Sequence, residues 1–247
     1  MTNERLQKII SQAGLGSRRE IERWIEQGLI QVNGKVAKLG DSAGAQDKIS
    51  VRGQLIENPL QINSRTRILL YHKPIGEISS RRDPNHEKTV FDKLPYLKHG
   101  RWVQVGRLDI NTSGLLIFTN NGELAHCLMH PRFGLEREYA VRVHGEVSDD
   151  SLRTLLKGVA LDDGMGKFKR IVFRGGEGTN AWYHVTLTEG RNREVRRLWR
   201  SQGVEVSRLI RIRYGSIFMP RSLSRGTYQE LTADEVVALL KRLGYEK

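Results

Sequence analysis

The sequence predicts an α+β protein of two unequal parts: a small N-terminal module of two helices and a short sheet, and a larger domain built on a mixed, mainly antiparallel sheet. Helical spacing and a hairpin signal occupy the first 60 residues. A polar stretch at residues 57–64, which contains Pro59, separates this part from the strand-like runs that alternate with helical patterns. We predict a module at 1–60, a linker at 61–66 and a larger domain at 67–247.

The N-terminal module begins with two predicted helices. Apolar residues recur at helical spacing over residues 4–13, and two glycines end the pattern. Ser17, with Glu20 three residues later, has the spacing of a capping box and opens the second helix. Asn33-Gly34 lies between apolar runs and is typical of a two-residue hairpin turn, so a small sheet completes the module.

The larger domain is predicted from patterns beyond residue 66. Short apolar or alternating runs predict strands, and stretches with a period near 3.6 predict helices. The predicted strands are Ile68–His72, Trp102–Val105, Leu115–Thr119, Glu138–Val143, Ile171–Phe173, Trp182–Thr188 and Leu209–Tyr214. The predicted helices are Glu123–His130, Asp149–Lys157, Asn192–Ser201 and Ala233–Leu243.

The charge of the chain predicts a polyanionic partner. The formal net charge is +13 and the sequence pI is about 10.1, which favours nucleic acid as the commonest polyanion. Residues 1–60 carry nine basic and seven acidic side chains, so most of the excess positive charge lies in the larger domain.

Cysteine and histidine content restricts the kinds of site that are possible. The single cysteine, Cys127, excludes an internal disulfide and a cysteine-rich zinc site. His126 and His130 are spaced like metal ligands on a helix, but no third ligand is evident, so we expect no metal. The start of the chain lacks the apolar run of a signal peptide, and no run approaches 18 apolar residues. We therefore expect a cytoplasmic protein.

Asp109 is the candidate catalytic carboxylate. It follows a predicted strand, and turn-forming residues and then an apolar strand come after it. The residues alone fit an Asx-type turn, a calcium loop or a catalytic carboxylate on a rigid loop. The calcium loop fails because Asn120 stands where such a loop needs glutamate and the flanks are strand-like. The other two interpretations stay open at this point.

An arginine-rich stretch between residues 189 and 213 favours the catalytic interpretation. It contains no lysine, and arginine supports oriented, two-pronged contacts with phosphate or carboxylate. The eight arginines are Arg191, Arg193, Arg196, Arg197, Arg200, Arg208, Arg211 and Arg213. Period two along strand 209–214 places Leu209, Arg211 and Arg213 on one face. We expect the other face, with Ile210, Ile212 and Tyr214, to be the core.

Two features each admit two interpretations. Tyr139 alternates with valines, which suits either a core tyrosine or a ring that stacks on a displaced base. Basic side chains on the N-terminal helices suit either a solvated helix face or contact with phosphates. They are Arg5, Lys8, Arg18, Arg19 and Arg23.

The N-terminal part resembles the alpha-L RNA-binding module of the ribosomal protein S-four. The resemblance rests on Arg5-Leu6, then Gly14-Leu-Gly-Ser17-Arg18-Arg19, then Ile25…Gly28…Ile30-Gln-Val32-Asn33-Gly34, and it spans about residues 3–56. Gln7 stands where many such modules have aspartate. The resemblance implies docking on structured RNA through shape and phosphates. The side chains we expect to bind RNA there are Arg5, Lys8, Arg18 and Arg19.

Three segments of the larger domain resemble, in the same order, those of the RsuA/RluB group of bacterial pseudouridine synthases. They are Gly106-Arg-Leu-Asp109-x-x-Thr-x-Gly114-Leu-Leu, Arg137-Glu-Tyr139 and Glu189-Gly190-Arg-Asn-Arg-Glu-Val-Arg196-Arg197. The segment Tyr71-His-Lys-Pro-Ile-Gly-Glu, with the stretch from Arg82 to Pro95, is most similar to the RluB branch of that group. The resemblance implies isomerisation of uridine to pseudouridine in 23S ribosomal RNA near the peptidyl-transferase region, with base flipping and without cofactor or metal.

Carried over residue by residue, the resemblance implies a catalytic set. Asp109 matches the catalytic aspartate, and Tyr139 matches the tyrosine that stacks on the target base. Arg196 best matches the basic residue that pairs with the aspartate, although Arg193 is close enough to compete. Leu209 matches an apolar residue that packs near the site. The further side chains we expect to contact substrate are Arg107, Arg193, Arg197 and Arg211.

Two alternatives stay open. The first is the same chemistry on 16S ribosomal RNA or on another site in the RNA of the large ribosomal subunit. The second is a non-catalytic RNA-binding protein of ribosome assembly, which would account for the charge but has no need of the set formed by Asp109, Tyr139 and Arg196. In either case we expect a monomer that binds ribosomal RNA or the assembling large ribosomal subunit. We expect no association with a membrane.

Overall fold

The computed structural model describes residues 3–62, 65–81, 88–177 and 179–245. The chain forms two compact units. The first unit comprises Met1–Thr66, Pro95–Val103 and Asn120–Gly122, and the second comprises Arg67–Leu94, Gln104–Thr119 and Glu123–Lys247. Part of the predicted linker, at 63–64, and part of the stretch that begins at Arg82 lie outside the described residues. No helix in the described ranges is both long and apolar enough to cross a membrane.

The first unit confirms the predicted helices, capping box and hairpin. Glu20 N donates to Ser17 Oγ at 3.2 Å, and the Glu20 side chain accepts in return from Ser17 N. Asn33 and Gly34 adopt the left-handed conformation that the hairpin turn requires. The elements are β1 Glu4–Arg5, α1 Leu6–Gln12, α2 Arg18–Glu26, β2 Ile30–Val32, β3 Lys35–Val36, β4 Ser42–Ala43, β5 Ile49–Val51 and β6 Gln54–Leu55.

The first unit has its own core. Strands β3, β2, β5 and β6 form an antiparallel sheet, and α1 and α2 pack their apolar faces with it. The fully buried core includes Leu6, Ile9, Ile10, Ile21, Ile30 and Ile49. Residues 95–103 also belong to this unit, since Arg101 Nη1 donates to Gly16 O at 3.1 Å and Nη2 donates to Ser11 Oγ.

The second unit is built on a nine-stranded sheet, which confirms the predicted mixed and mainly antiparallel architecture. The sheet strands are β7 Ile68–Lys73, β8 Val103–Val105, β9 Ser113–Thr119, β10 Arg137–His144, β13 Arg170–Glu177, β14 Asn180–Leu187, β15 Glu205–Tyr214, β16 Ile217–Phe218 and β17 Tyr228–Glu230. They run in the order β13-β14-β10-β15-β9-β7-β17, with β16 beside β15 and β8 beside β9. Only β9 and β15 pair in parallel among the strands described. Two further strands, β11 Val159–Leu161 and β12 Gly164–Gly166, form a separate hairpin.

The predicted helices of the larger part are all present. They are α3 Gly122–Met129, α4 Asp149–Lys157, α5 Glu194–Arg200 and α6 Ala233–Arg242. The sequence prediction missed the small hairpin of β11 and β12, because its strands are three residues long and include glycines. It also missed β17, which pairs with β7 at an edge of the sheet.

The predicted faces of strand β15 were wrong in part: Leu209 and Arg211 share a face and Tyr214 is buried, as predicted, but Ile210, Ile212 and Arg213 are not placed as predicted. Leu209 and Arg211 are buried, at 5% and 2% exposure, whereas Ile210 and Ile212 are only half-buried. Tyr139 of β10 lies opposite Arg211, but Glu138 lies opposite Arg213, so Ile212 is an extra residue in the ladder. Such a β-bulge breaks the period of two. It turns Arg213 to the opposite side from Arg211.

Candidate active site

Asp109 lies on a short loop, residues 106–112, between β8 and β9; we call it the Asp109 loop. Gly106 begins it with a φ of 71°, and Thr112 N donates to Asp109 O at 3.0 Å. This turn is closed by main-chain atoms. No hydrogen bond to the Asp109 carboxylate is formed by any residue that the structure describes, so the Asx-type turn is not formed. The half-buried carboxylate is therefore available for chemistry.

Lys73 holds one side of the Asp109 loop. It ends the wholly buried strand β7, and its Nζ donates to Thr112 O at 2.9 Å, to Pro74 O at 2.9 Å and to Ile110 O at 3.5 Å. The side chain is completely buried. Burial lowers the pKa of Lys73 to about 8, while the charges of Glu77 and Asp109 oppose that shift.

Two arginines hold the other side of the loop. Arg211 Nε donates to Leu115 O at 2.8 Å, and its Nη1 donates to Arg107 O at 3.4 Å. The guanidinium of Arg211 thus bridges main-chain oxygens before and after Asp109. Arg196 Nη2 donates to Asn111 O at 2.9 Å. Burial and the charge of Arg193 lower the pKa of Arg196, and the carboxylate of Asp109 raises it.

Neutral groups complete the attachment of the loop. Ser79 Oγ donates to Leu108 O at 2.8 Å and accepts from Leu108 N at 3.2 Å. Gly76 N donates to Ile110 O at 2.9 Å. The residue directly before Asp109 is therefore fixed through both of its main-chain polar groups, which orients the carboxylate without using it.

The electrostatic result is a carboxylate with cations close by and no direct partner. Asp109 influences the pKa of both Lys73 and Arg196, so both charges lie within its reach. Neither forms an ion pair with it, nor does any other cation in the described ranges. Because the nearby cations bind main-chain oxygens, they place positive charge near Asp109 while leaving both of its carboxylate oxygens open.

Tyr139 and Leu209 lie on the face of the sheet that carries Arg211. Tyr139 pairs with Arg211 across β10 and β15, and Arg211 pairs with Gly114 across β15 and β9. Leu209 is two residues before Arg211 and is buried on the same face. The three central strands therefore bring the tyrosine and Arg211 together, next to the strand that follows the Asp109 loop.

The remaining arginines predicted to bind substrate are placed differently. Arg193 is exposed and begins α5 in a left-handed conformation, with φ of 49°. Arg107 is exposed and contributes its main-chain oxygen to the loop. Arg197 donates from both Nη atoms to the carboxylate of Asp163, each at 2.8 Å. Because that ion pair occupies its guanidinium, Arg197 fixes the β11–β12 hairpin and is not brought to Asp109.

The predicted RNA-binding residues of the first unit fall into two groups. Arg5 donates to Gly40 O, and Lys8 forms an ion pair with Glu4 at 2.8 Å. Arg18 and Arg19 are exposed at the start of α2. The second pair is therefore better placed to reach an external phosphate.

Several buried polar atoms near the Asp109 loop have no hydrogen-bond partner in the described part of the chain. They are Asn111 Oδ1, Thr112 Oγ1, Gln104 Oε1, Arg196 Nε and Arg211 Nη2. Buried polar groups are normally paired, and exceptions gather at functional sites. No three His, Cys, Asp or Glu side chains in the same described ranges are placed to share a metal ion.

Sequence reasoning missed Lys73 and Ser79. Lys73 had one usable signal: a charged residue, followed by proline, ends a strand that is otherwise apolar. A lysine in such a place needs buried partners, which the loop carbonyls supply. Ser79 had no such signal, because its two bonds to Leu108 depend on tertiary structure.

We expect turnover to fall as the pH rises through about 8, because Lys73 then loses its proton and the positive field at Asp109 weakens. The pKa is lower in the folded than in the unfolded chain, where it is near 10.5. The unfolded chain thus binds the proton more tightly, so this group makes the fold more stable as pH rises from about 8 towards 10.5. Loss of activity and gain of stability in one pH range separates this effect from unfolding.

The measurement is the single-turnover rate from pH 6.5 to 9.5 for the native chain and for Lys73→Gln, which keeps hydrogen-bond donors but carries no charge. The variant should be slower at pH 7 and should lack the fall near pH 8. A fall of the same size in Lys73→Gln would assign it to another group.

Each of the two units matches a known protein family. Residues 67–201 match the family described as RNA pseudouridylate synthase, and residues 4–49 match the S4 domain. A "Ribosomal large subunit pseudouridine synthase B" of Yersinia pestis is 56% identical over 230 residues, covering 92% of this chain and 72% of the relative. The Escherichia coli (strain K12) protein of that name is 57% identical over 231 residues, covering 93% and 79%. A crystal structure of a pseudouridylate synthase matches with a TM-score of 0.65 and 26% identity, covering 95% of this chain and 99% of the other.

Proposed function

Because this chain belongs to the RNA pseudouridylate synthase family, we propose that it isomerises one uridine of 23S ribosomal RNA, near the peptidyl-transferase region, with Asp109 as the essential carboxylate. The choice of RNA from the large ribosomal subunit is supported by the names of the similar proteins from Yersinia pestis and Escherichia coli. The observation that carries the catalytic assignment is the Asp109 loop, whose neighbouring cations bind its main chain and leave the carboxylate free.

The chemistry suits this arrangement. The bond from nitrogen 1 of uracil to carbon 1′ of the ribose breaks, the base turns, and carbon 5 bonds to carbon 1′ instead. The proton on carbon 5 is released and nitrogen 1 gains a proton, so the atoms balance. Substrate and product are isomers, so the net reaction transfers no electrons to a cofactor. Asp109 would serve as a nucleophile toward the sugar or the base, or as a base for the 2′ proton, and each role needs the ionised form. Lys73 and Arg196 place positive charge within electrostatic reach of Asp109.

Arg196 is the better candidate than Arg193 for the cation of the catalytic set. Arg196 is half-buried, binds Asn111 O and is within electrostatic reach of Asp109. Arg193 is exposed at the start of α5. We assign Arg196 to the charge balance and position of Asp109, and Arg193 to contact with the RNA backbone.

The target base must leave its stack to reach Asp109, which costs a few kcal/mol. Tyr139, at 9% exposure, and Leu209, at 5%, lie largely buried on the face that carries Arg211. We assign Tyr139 to stacking on the displaced uracil. Arg211, which is opposite Tyr139 in the sheet, has a buried Nη2 donor without a partner among the described residues, and this donor is suited to a polar atom of the base or its phosphate.

Tyr139→Ala is expected to slow single turnover by about 10- to 100-fold, the value of one base-stacking contact, while RNA affinity changes little because most contacts lie elsewhere. Tyr139→Phe keeps the ring and should retain most of the base-flipping step. Tyr96→Ala, at a residue 87% exposed in the first unit, is the matched control. A Tyr139→Ala protein with the native rate would remove Tyr139 from the site.

We further propose that residues 1–60 bind structured RNA through Arg18 and Arg19, with a linker at 61–66, and that residues 67–247 carry the catalysis. The exposed positions of both arginines and the match to the S4 domain support this division. We propose a monomer that acts in the cytoplasm, where ribosomal RNA is modified.

A map of pseudouridines in ribosomal RNA, from cells with and without the gene, tests the proposed substrate. Loss of one pseudouridine in 23S RNA near the peptidyl-transferase region, restored by the native gene but not by Asp109→Asn, is the expected result. Loss of a 16S site alone would contradict the 23S substrate. An unchanged map, with ribosome assembly defects, would favour the non-catalytic alternative.

A further inference from the structure

The sheet of the second unit has a face that the proposed mechanism does not use. Tyr139 and Val141 of β10 lie on the side covered by α5, since Tyr183, which is opposite Val141, has its ring 5.2 Å from that of Trp199. Residues of β10 alternate, so Arg142 lies on the other side. We call this side the back face.

Two arginines lie side by side on the back face. Arg142 is directly opposite Arg208 in β15, and like charges in that position destabilise a sheet. No carboxylate of the described residues forms an ion pair with Arg142 or Arg208. Arg142 Nε donates to Ser207 Oγ at 2.9 Å, which leaves its two Nη groups without a protein acceptor in the same ranges. The uncompensated pair is a local feature that calls for an external anion.

The acidic side chains nearest along β10 are already neutralised. Glu138 accepts from Arg213 Nε at 2.9 Å and forms a second ion pair with His184 at 3.3 Å. Arg174 also reaches the back face, because after burial it is the next cause that lowers the pKa of His184. Glu205, opposite His144, also lies on this face and forms no ion pair with the described residues. The three arginines, Arg142, Arg208 and Arg174, outnumber it, so positive charge predominates.

An aromatic side chain completes this group. Trp182 of β14 is directly opposite Arg142, on the side away from Arg208, and is half-buried. Arg208 and Arg174 are exposed. Trp182, Arg142 and Arg208 thus form one row across β14, β10 and β15, with the indole ring next to the guanidinium group of Arg142 in the register. Arginine forks fit phosphate oxygens, and an exposed aromatic face stacks on unpaired bases.

We infer that the back face, through Arg142, Arg208, Arg174 and Trp182, is a second RNA-contact surface that binds the backbone and one unpaired base of the substrate RNA. This inference rests on the proposed function only for the identity of that RNA. RNA is favoured over an acidic protein because residues 61–247 hold most of the net charge of +13 and because the row combines arginines with an indole. The contact lies on the opposite side of the sheet from Tyr139.

The test measures binding of a 23S RNA transcript as a function of salt. The double variant Arg142→Gln/Arg208→Gln should bind about tenfold more weakly and lower the slope of log affinity against log salt by about 1.4, the share of two phosphate contacts on a single strand. Arg153→Gln is the matched control, because Arg153 is exposed on α4 and is paired with Asp150. Its affinity and slope should equal those of the native chain.

Two further variants separate the contributions. Arg142→Lys keeps the charge, so its slope of log affinity against log salt should equal that of the native chain. Its affinity should lie between those of the native chain and the double variant, because lysine lacks the two-pronged guanidinium contact. Trp182→Phe should abolish the part of the RNA-induced quenching of tryptophan emission that comes from the back face. Folding of each variant is checked by its thermal transition.

A double variant that binds the transcript with native affinity and slope would overturn the inference. So would a variant that binds the transcript normally but binds assembled large ribosomal particles less tightly, because the partner would then be a ribosomal protein. Tritium release by the native chain keeps this result separate from the proposed function. A native chain that releases no tritium would contradict the proposed chemistry, whereas the binding of the double variant tests only the back face.

Discussion

Replacing Asp109 with asparagine is expected to abolish measurable pseudouridine formation, a loss of more than about 10³-fold, because an amide is neither a nucleophile nor a base of comparable strength. RNA affinity should stay within about twofold, since electrostatic contacts to many phosphates supply most of the binding. The loop should keep its shape, because its attachments are to main-chain oxygens and not to the Asp109 side chain. Tritium release from carbon 5-labelled uridine in a 23S transcript, at single turnover, measures the effect.

Asp150→Asn is the matched control for that substitution. Asp150 is exposed on α4 and pairs only with the nearby Arg153 among the residues described, so its loss should leave the rate unchanged. If Asp109→Asn released tritium at a rate close to that of the native chain, the carboxylate would not be essential. The proposed chemistry would then need another residue.

Replacing Gly114 with alanine is expected to have the largest effect on stability. A Cβ at this position would lie 2.2 Å from Arg211 O and 2.5 Å from Arg211 N, and φ is +109°. Positive φ and overpacking each cost about 1–3 kcal/mol, so we expect a loss of about 3 kcal/mol or more. In a chain of this size that corresponds to a fall in Tm of about 10 °C. Activity should fall as well, because β9 and β15 pair in parallel only at Ser113 and Gly114.

Gly122→Ala provides the comparison for that change. Nothing lies within 4 Å of the position of its Cβ, and it begins helix α3, where alanine is favourable. Differential scanning calorimetry should show a Tm equal to or slightly above the native value. A Gly114→Ala protein with native Tm would mean that the two strands separate easily. Arg211 would then not be held by the sheet as described.

Much of the fold could be predicted from the sequence because local signals agree with the tertiary structure. Ser17 and Glu20 form the predicted capping box, and Asn33-Gly34 forms the predicted hairpin turn. The predicted helices and most strands lie within a few residues of those observed. The family assignment, from three segments in order, is confirmed by matches over residues 67–201 and 4–49.

The faces of β15 could not be predicted, because a bulge is not encoded in the period of a single strand. Nothing in the residues around Ile212 marks it as the extra position; the register with Tyr139 and Glu138 determines it. The consequence was an incorrect grouping of Arg211 with Arg213. In the structure, Arg211 holds the Asp109 loop while Arg213 forms ion pairs with Glu136 and Glu138.

The candidate site could be predicted only in part, for a related reason. Asp109, Tyr139 and Arg196 were found as matches to segments of known order. Lys73 and Ser79 act through contacts with main-chain atoms 29 to 39 residues away in sequence. Contacts with main-chain oxygens do not constrain the type of the residue that supplies the oxygen. They therefore leave little trace in the sequence of the loop that they hold.

The hydrogen bonds from Lys73, Arg196 and Arg211 to main-chain oxygens have a consequence for which residues can be substituted. A substitution at Ile110 or Asn111 keeps the carbonyl group that Lys73 or Arg196 binds, because every residue supplies one. Such substitutions therefore change the side chains that the loop presents, while the main-chain contacts that hold Asp109 in place remain. Lys73, Arg196 and Arg211 make these contacts through their side chains, so they should not tolerate substitution. A saturation scan should therefore find that activity is lost more often at these three positions than at Ile110 and Asn111.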